Sequence, residues 1–193
     1  PGLTRPHDDH THLPPSSGIR RIGPYNLAGD RCNAHDRKGY PMTISVGSKL
    51  PEATLFQIGA NGPERVALGD KLKGRKVVIF GLPGAYTGTC TTAHVPSFIR
   101  TARGFAEKGV DEIICISVND PFVMKAWGDD TGAAAAGITM LGDADSSFTT
   151  AIGMDFSAPA IGLTARSKRY ALLSEDGVVK VLNLEESPGT CEV

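Results

Sequence analysis

Phe80-Gly-Leu-Pro-Gly-Ala-Tyr-Thr-Gly-Thr-Cys-Thr-Thr-Ala-His-Val-Pro-Ser-Phe98 joins two unlike patterns. Before it, Lys76–Phe80 carries Val77, Val78 and Ile79 in a short continuous apolar run, the pattern of a strand buried on both faces. After it, Val95, Phe98, Ile99, Ala102, Phe105 and Ala106 recur at three- and four-residue steps. That spacing predicts a helix over Thr91–Lys108 that Gly109 ends and Pro96 kinks. A Pro/Gly/Thr-rich turn thus carries the chain from the carboxyl end of a buried strand into a long helix. Open α/β sheets place their sites there.

The alternation continues on both sides. Ala53–Ile58 and Val66–Leu68 are short strand candidates flanked by turn residues. Glu112–Val118 is a second buried strand. Asn119-Asp120-Pro121 supplies an N-cap and a proline at the first helical position for a helix through Trp127. Ile138–Leu141 is a third strand and Asp145–Ile152 a short helix. Arg169–Leu173 and Val178–Leu182 flank Glu175-Asp176-Gly177, whose Asp-Gly marks a tight hairpin. Strand, helix, strand, helix, strand, helix and hairpin imply an α/β sandwich of the thioredoxin-like type. Its central sheet is mixed, with parallel middle strands, an antiparallel edge and flanking helices.

The whole chain has 193 residues, 40% hydrophobic and 21% charged, which suits a globular domain with a real core. A formal net charge of −1 argues against broad binding to nucleic acid or to an anionic membrane. No apolar run approaches the ~18 residues of a membrane span. Residues 1–41 stand apart, with six prolines, five glycines, four of the five histidines and no apolar period. They are expected to be a disordered or non-native leader: a processed extension, translated upstream sequence or a remnant of expression. The domain is expected over 42–193. His7, His10 and His12 fit a solvated tail better than a metal site.

Four cysteines at 32, 90, 115 and 191 match no zinc template and form no Cys-x-x-Cys pair. Cys90 differs from the others by its place in the first turn of the long helix. Free backbone N–H groups and the positive helix end favour an anion there, and the nucleophilic thiolate is the anion on offer. Thr87 is close enough to hydrogen-bond near the sulfur. Pro83 fixes the backbone and shields the loop. The competing reading is a small inert core cysteine.

Pro83-x-x-x-Thr87-x-x-Cys90 matches the Pro-x-x-x-Thr-x-x-Cys signature of the peroxiredoxins. Ala93-His-Val-Pro-Ser-Phe98, Ser117-Val-Asn-Asp-Pro-Phe-Val-Met-Lys-Ala-Trp127, Arg169-Tyr-Ala171 and the hairpin through Leu184 resemble the type II, peroxiredoxin-5-like branch. The resemblance covers about residues 42–193. It implies a thiol peroxidase that reduces hydrogen peroxide and alkyl hydroperoxides through a sulfenic acid on Cys90. Thr87, Pro83 and Arg169 would be its companions, and no metal, haem or flavin would be needed. Without the resemblance, Arg169 reads as a solvated strand-end charge beside Lys168.

The resemblance leaves the resolving thiol open among Cys115, Cys191 and an external thiol of thioredoxin, glutaredoxin or glutathione. It implies a homodimer. The chain departs from the family pattern at Tyr86, which keeps the aromatic ring, and at Gly88, which restores backbone freedom that proline would remove. A peroxide sensor that uses the same cysteine without efficient turnover is the alternative function. A reactive thiol needs reducing partners, so a cytoplasmic home is expected, with plastid or mitochondrion as alternatives.

Overall fold

Both faces of the central strands must be covered, and the residue alternation shows how. In the computed structural model, which describes residues 43–185, the third strand sends Val77 and Ile79 to one apolar cluster and Val78, Phe80 and Leu82 to another. The strands are β1 Thr54–Gly59, β2 Gly62–Ala67, β3 Lys76–Leu82, β4 Glu112–Ser117, β5 Ile138–Gly142, β6 Asp155–Ala158, β7 Leu163–Ser167, β8 Tyr170–Glu175 and β9 Val178–Leu184. The helices are α1 Leu68–Leu72, α2 Val95–Glu107, α3 Pro121–Thr131 and α4 Ser147–Ala151. Seven strands form one sheet in the order β2-β1-β5-β4-β3-β8-β9, and β6 pairs with β7 alone. The middle strands β3, β4 and β5 run parallel. β8 joins β3, and β1 joins β5, antiparallel. This is the expected thioredoxin-like architecture. The leader 1–41, Cys32 and Cys191 lie outside the described residues.

Most sequence expectations map onto elements with their causes intact. Asp120 caps α3: its carboxylate accepts from the N–H groups of Phe122 and Val123 at 2.9 and 3.0 Å. The helix runs on past Trp127 to a left-handed Gly132 at φ 76°. Asp176 and Gly177 both take positive φ, 49° and 76°, as a two-residue hairpin turn requires.

Three features differ from the sequence reading. Val66–Leu68 splits, because β2 ends at Ala67 and Leu68 opens the short helix α1, in which Leu68 and Leu72 are buried. Five residues are too few to show a helical period. The β6–β7 pair has no partner in the main sheet and no strong apolar alternation, so nothing marked it. Pro96 does not break the long helix midway. A π-turn, Cys90–His94, precedes α2, and proline falls within the first two residues of α2. Proline has no N–H to give a preceding carbonyl, so the irregularity sits ahead of it.

His94 closes this turn inside the core. It has no accessible surface, and neither ring nitrogen has a hydrogen-bond partner among the described residues. The rings of Phe80 and Phe98 meet it edge-on at 5.3 and 5.4 Å. Burial, reinforced by the Arg169 charge and opposed by Glu185, lowers its pKa to about 3.

Two stability predictions follow from these contacts. Asp120→Ala leaves two helix N–H groups uncapped and should cost about 1 kcal/mol in denaturant unfolding. His94 is harder to protonate when folded than when unfolded, so acid favours the unfolded chain. Its contribution should weaken the fold as pH falls from about 6.5 towards 3, by up to ~1.4 kcal/mol per pH unit. Urea midpoints at pH 7 and pH 5 should therefore drop less in His94→Leu than in the parent. Equal drops would exclude His94 as a source of acid sensitivity.

Candidate active site

β3 delivers the chain to a tight, partly buried turn. Pro83 and Gly84 are buried, and Tyr86 is held at φ 60°, a conformation that L-residues adopt at a cost. Thr87 donates its hydroxyl to the Gly84 carbonyl at 2.8 Å. The Thr87 proton is committed to the loop, which leaves the oxygen lone pairs free to accept. The Thr91 N–H bonds the Thr87 carbonyl at 3.0 Å. Gly88 and Cys90 stand in this first helical turn, where backbone N–H groups point out of the helix end.

Cys90 is 1% exposed and Arg169 is 2% exposed. The guanidinium directs Nη1 and Nη2 at the Cys90 sulfur, at 3.4 and 3.5 Å. A solvated strand-end charge is thereby excluded for Arg169. The residue immediately precedes β8, which lies beside β3, with Gly81 opposite Tyr170. A Cβ at position 81 would stand 2.2 Å from the Tyr170 ring, so glycine is what lets that ring lie against β3. On its other side Cys90 meets the apolar cluster that includes Phe80, Val95, Met124 and Trp127. A buried guanidinium is costly without compensating acceptors, and the Cys90 sulfur is one of them.

Residues to which the sequence reading gave no role in the site brace this pocket. Trp127 Nε1 donates to Thr91 Oγ1 at 3.1 Å and ties α3 to the π-turn. Tyr86 donates its hydroxyl to Asp130 at 2.7 Å, a tether that phenylalanine would not supply. This hydrogen bond and the nearby Asp129 and Asp130 charges push the Tyr86 phenol upward. Gly88 lies in the first helical turn without positive φ, so its backbone freedom goes unused. Asn119 accepts from the Ala85 N–H at 3.0 Å. A motif reading had only its place before an N-cap to go on.

Cys115 is fully buried on β4, in register with Phe80, and belongs to the same apolar cluster as Cys90. Burial first, and the neighbouring Cys90 second, push its thiol well above the ordinary range. Both cysteines are free.

Comparison with known proteins agrees with this geometry. The Redoxin family model matches residues 45–193. A rice (Oryza sativa subsp. japonica) protein named peroxiredoxin-2E-2, chloroplastic, is 49% identical over 148 residues, which cover 75% of this chain and 66% of the rice protein. The chain therefore spans slightly less than two-thirds of that relative's length. The Arabidopsis thaliana protein named peroxiredoxin-2F, mitochondrial, is 48% identical over 78% of this chain and 75% of its own. The crystal structure of reduced Prx3 from Vibrio vulnificus in complex with hydrogen peroxide is 44% identical. It superposes with a TM-score of 0.73 over 78% of this chain and 93% of that one. Fold, matched residues and relatives agree: the chain belongs to the peroxiredoxins, in their type II branch.

Proposed function

We propose that the protein is a thiol-dependent peroxidase with Cys90 as its peroxidatic residue and hydrogen peroxide and alkyl hydroperoxides as oxidants. The observation that carries this reading is the paired approach of the Arg169 guanidinium to the buried Cys90 sulfur. The Cys90 thiolate attacks the terminal peroxide oxygen. A sulfur–oxygen bond forms, the O–O bond breaks, and sulfur gives up two electrons. The departing oxygen takes a proton and leaves as water or alcohol, and Cys90 becomes a sulfenic acid. Arg169 holds the anionic sulfur and the charge that grows on the departing oxygen. The Thr87 oxygen accepts from the peroxide O–H, and the Gly88 and Cys90 amides point positive charge at the turn. Pro83 keeps water from the loop. None of these steps calls on a bound cofactor.

A thiol then attacks the sulfenic sulfur, water leaves and a disulfide forms. Cys115 is supported as the resolver by the cluster it shares with Cys90. A bond between them requires the π-turn to leave its seat, because β4 is a central strand. Cys191 and an external thiol of thioredoxin, glutaredoxin or glutathione are the alternatives. A homodimer built on loops around the site is supported by the exposed aromatic rings of Tyr86 and Phe122. The relatives' names support a plastid or a mitochondrion over the cytoplasm.

Peroxide consumption with a thiol reductant tests the assignment. Cys90→Ser should abolish turnover, and full activity in that variant would remove Cys90 from its role. Arg169→Met should slow Cys90 oxidation by roughly 100-fold, the loss typical of one preorganised donor. Arg169→Lys should recover little of it, because an ammonium has no fork of parallel N–H groups. A catalyst consumes many peroxide equivalents per chain, and consumption of about one would mark a sensor instead. Non-reducing peptide mapping after one equivalent of peroxide should pair Cys90 with Cys115. A Cys90–Cys191 peptide, or an unpaired oxidised Cys90, would transfer the resolving role.

A further inference from the structure

Asn119 lies outside the Pro83–Cys90 turn, yet it holds that turn from the next strand. Its Oδ1 accepts twice, from the Ala85 N–H at 3.0 Å and from Ser117 Oγ at 2.8 Å. A carboxamide oxygen has two acceptor sites, and both are filled. The amide group cannot satisfy either donor, so the orientation of the side chain is determined. Ser117 has no accessible surface and sits at the end of β4, which makes it a rigid anchor. One residue further on, the Val118 carbonyl accepts from Arg166 Nη1 at 2.7 Å, which braces the same segment from β7.

The held turn is tightly packed. A Cβ at Gly84 would stand 3.3 Å from Arg166 Nη1, 3.3 Å from Thr87 Cγ2 and 3.8 Å from Asn119 Oδ1. Ala85 therefore cannot shift without carrying Gly84, whose carbonyl fixes the Thr87 hydroxyl. Next to Ala85, Tyr86 occupies left-handed backbone at φ 60°. Such a conformation persists only where its surroundings over-determine it. The Asn119–Ala85 bond lies on one side of the strained residue, and the Tyr86–Asp130 bond restrains its side chain.

We infer that Asn119 is a positioning residue for peroxide reduction: oriented by Ser117, it fixes the Gly84–Thr87 turn in the conformation that presents Thr87 to the oxidant. The inference rests on Cys90 being the peroxidatic residue. It concerns recognition of the peroxide by the turn and leaves the intrinsic reactivity of the sulfur to Arg169. The two are separable, because an alkylating reagent needs the sulfur but not the turn.

Stopped-flow rates of Cys90 oxidation by hydrogen peroxide and of Cys90 alkylation by iodoacetamide, in the full chain, make the separation. Asn119→Ala should slow oxidation by roughly ten- to a hundredfold and leave alkylation within about threefold. Asn119→Asp keeps an acceptor for both donors and should recover at least about a third of the parent oxidation rate. Ser117→Ala should lower oxidation alone, by about threefold or more, and carries the test if Asn119→Ala does not fold. An unchanged oxidation rate in these variants would overturn the inference. So would a parallel loss of both reactions, or an Asn119→Asp no better than Asn119→Ala. If the parent protein reacts with peroxide no faster than a small free thiol, the peroxidatic reading itself fails first. A fast parent with an unaffected Asn119→Ala sinks the positioning role alone.

Discussion

A guanidinium facing a sulfur atom in the protein interior is the constraint on which the rest of the structure depends. Cys90 and Arg169 are 79 residues apart in the chain, and each is almost wholly removed from water. The fold has to bring the end of β3 and the start of β8 side by side and keep solvent out. Antiparallel pairing of β3 with β8 does the first, with Gly81 opposite Tyr170. The apolar cluster that Cys90 shares with Phe80, Val95, Met124 and Trp127 does the second. A cation buried this way costs free energy unless an anion or strong acceptor faces it. The Cys90 sulfur, met by both terminal nitrogens of the guanidinium, is one such acceptor.

Two ionisable neighbours of this pair are held neutral by burial. His94 lies one helical step beyond Cys90 and inside the same π-turn. Were it protonated, a second cation would stand near Arg169. Burial between Phe80 and Phe98 keeps it neutral down to about pH 3. Cys115, one strand away, is likewise kept protonated by its burial. Cys90, by contrast, faces the guanidinium directly. The site is selective because its neighbours are silenced by desolvation, a quieter device than adding further charges.

What was legible in the sequence follows from how local each signal is. The Pro83–Cys90 turn is contiguous, and its flanking apolar periods place it at a strand-to-helix junction without further information. The Asp120 cap and the Asp176-Gly177 hairpin are equally local, and both occur where residue chemistry required them. Arg169 was not legible in this way. Beside Lys168, it has the look of a surface charge, and only family resemblance singled it out, because its burial comes from pairing between distant strands. Pro96 marks an irregular helix, but the form it takes, a π-turn ahead of α2 rather than a kink within it, depends on packing that the sequence does not display. Asn119 was hidden by its neighbour: the strong N-cap signal of Asp120 and Pro121 accounted for the whole tripeptide.

The departures at Tyr86 and Gly88 illustrate where the rigidity of such a turn comes from. Gly88 in place of proline ought to loosen the loop, yet its freedom is absorbed by the first helical turn. Tyr86 in place of phenylalanine adds a hydroxyl that reaches Asp130 on α3. Trp127, also on α3, holds Thr91, and Asn119, just before α3, holds Ala85. The turn is thus secured at three points by the segment from the end of β4 through α3, the strand–helix unit that follows it in the chain. Backbone stiffness within the loop becomes unnecessary when an adjacent helix supplies the fixed points. A substitution that would weaken an isolated loop is then tolerated, provided that the residues facing it across the gap remain in place.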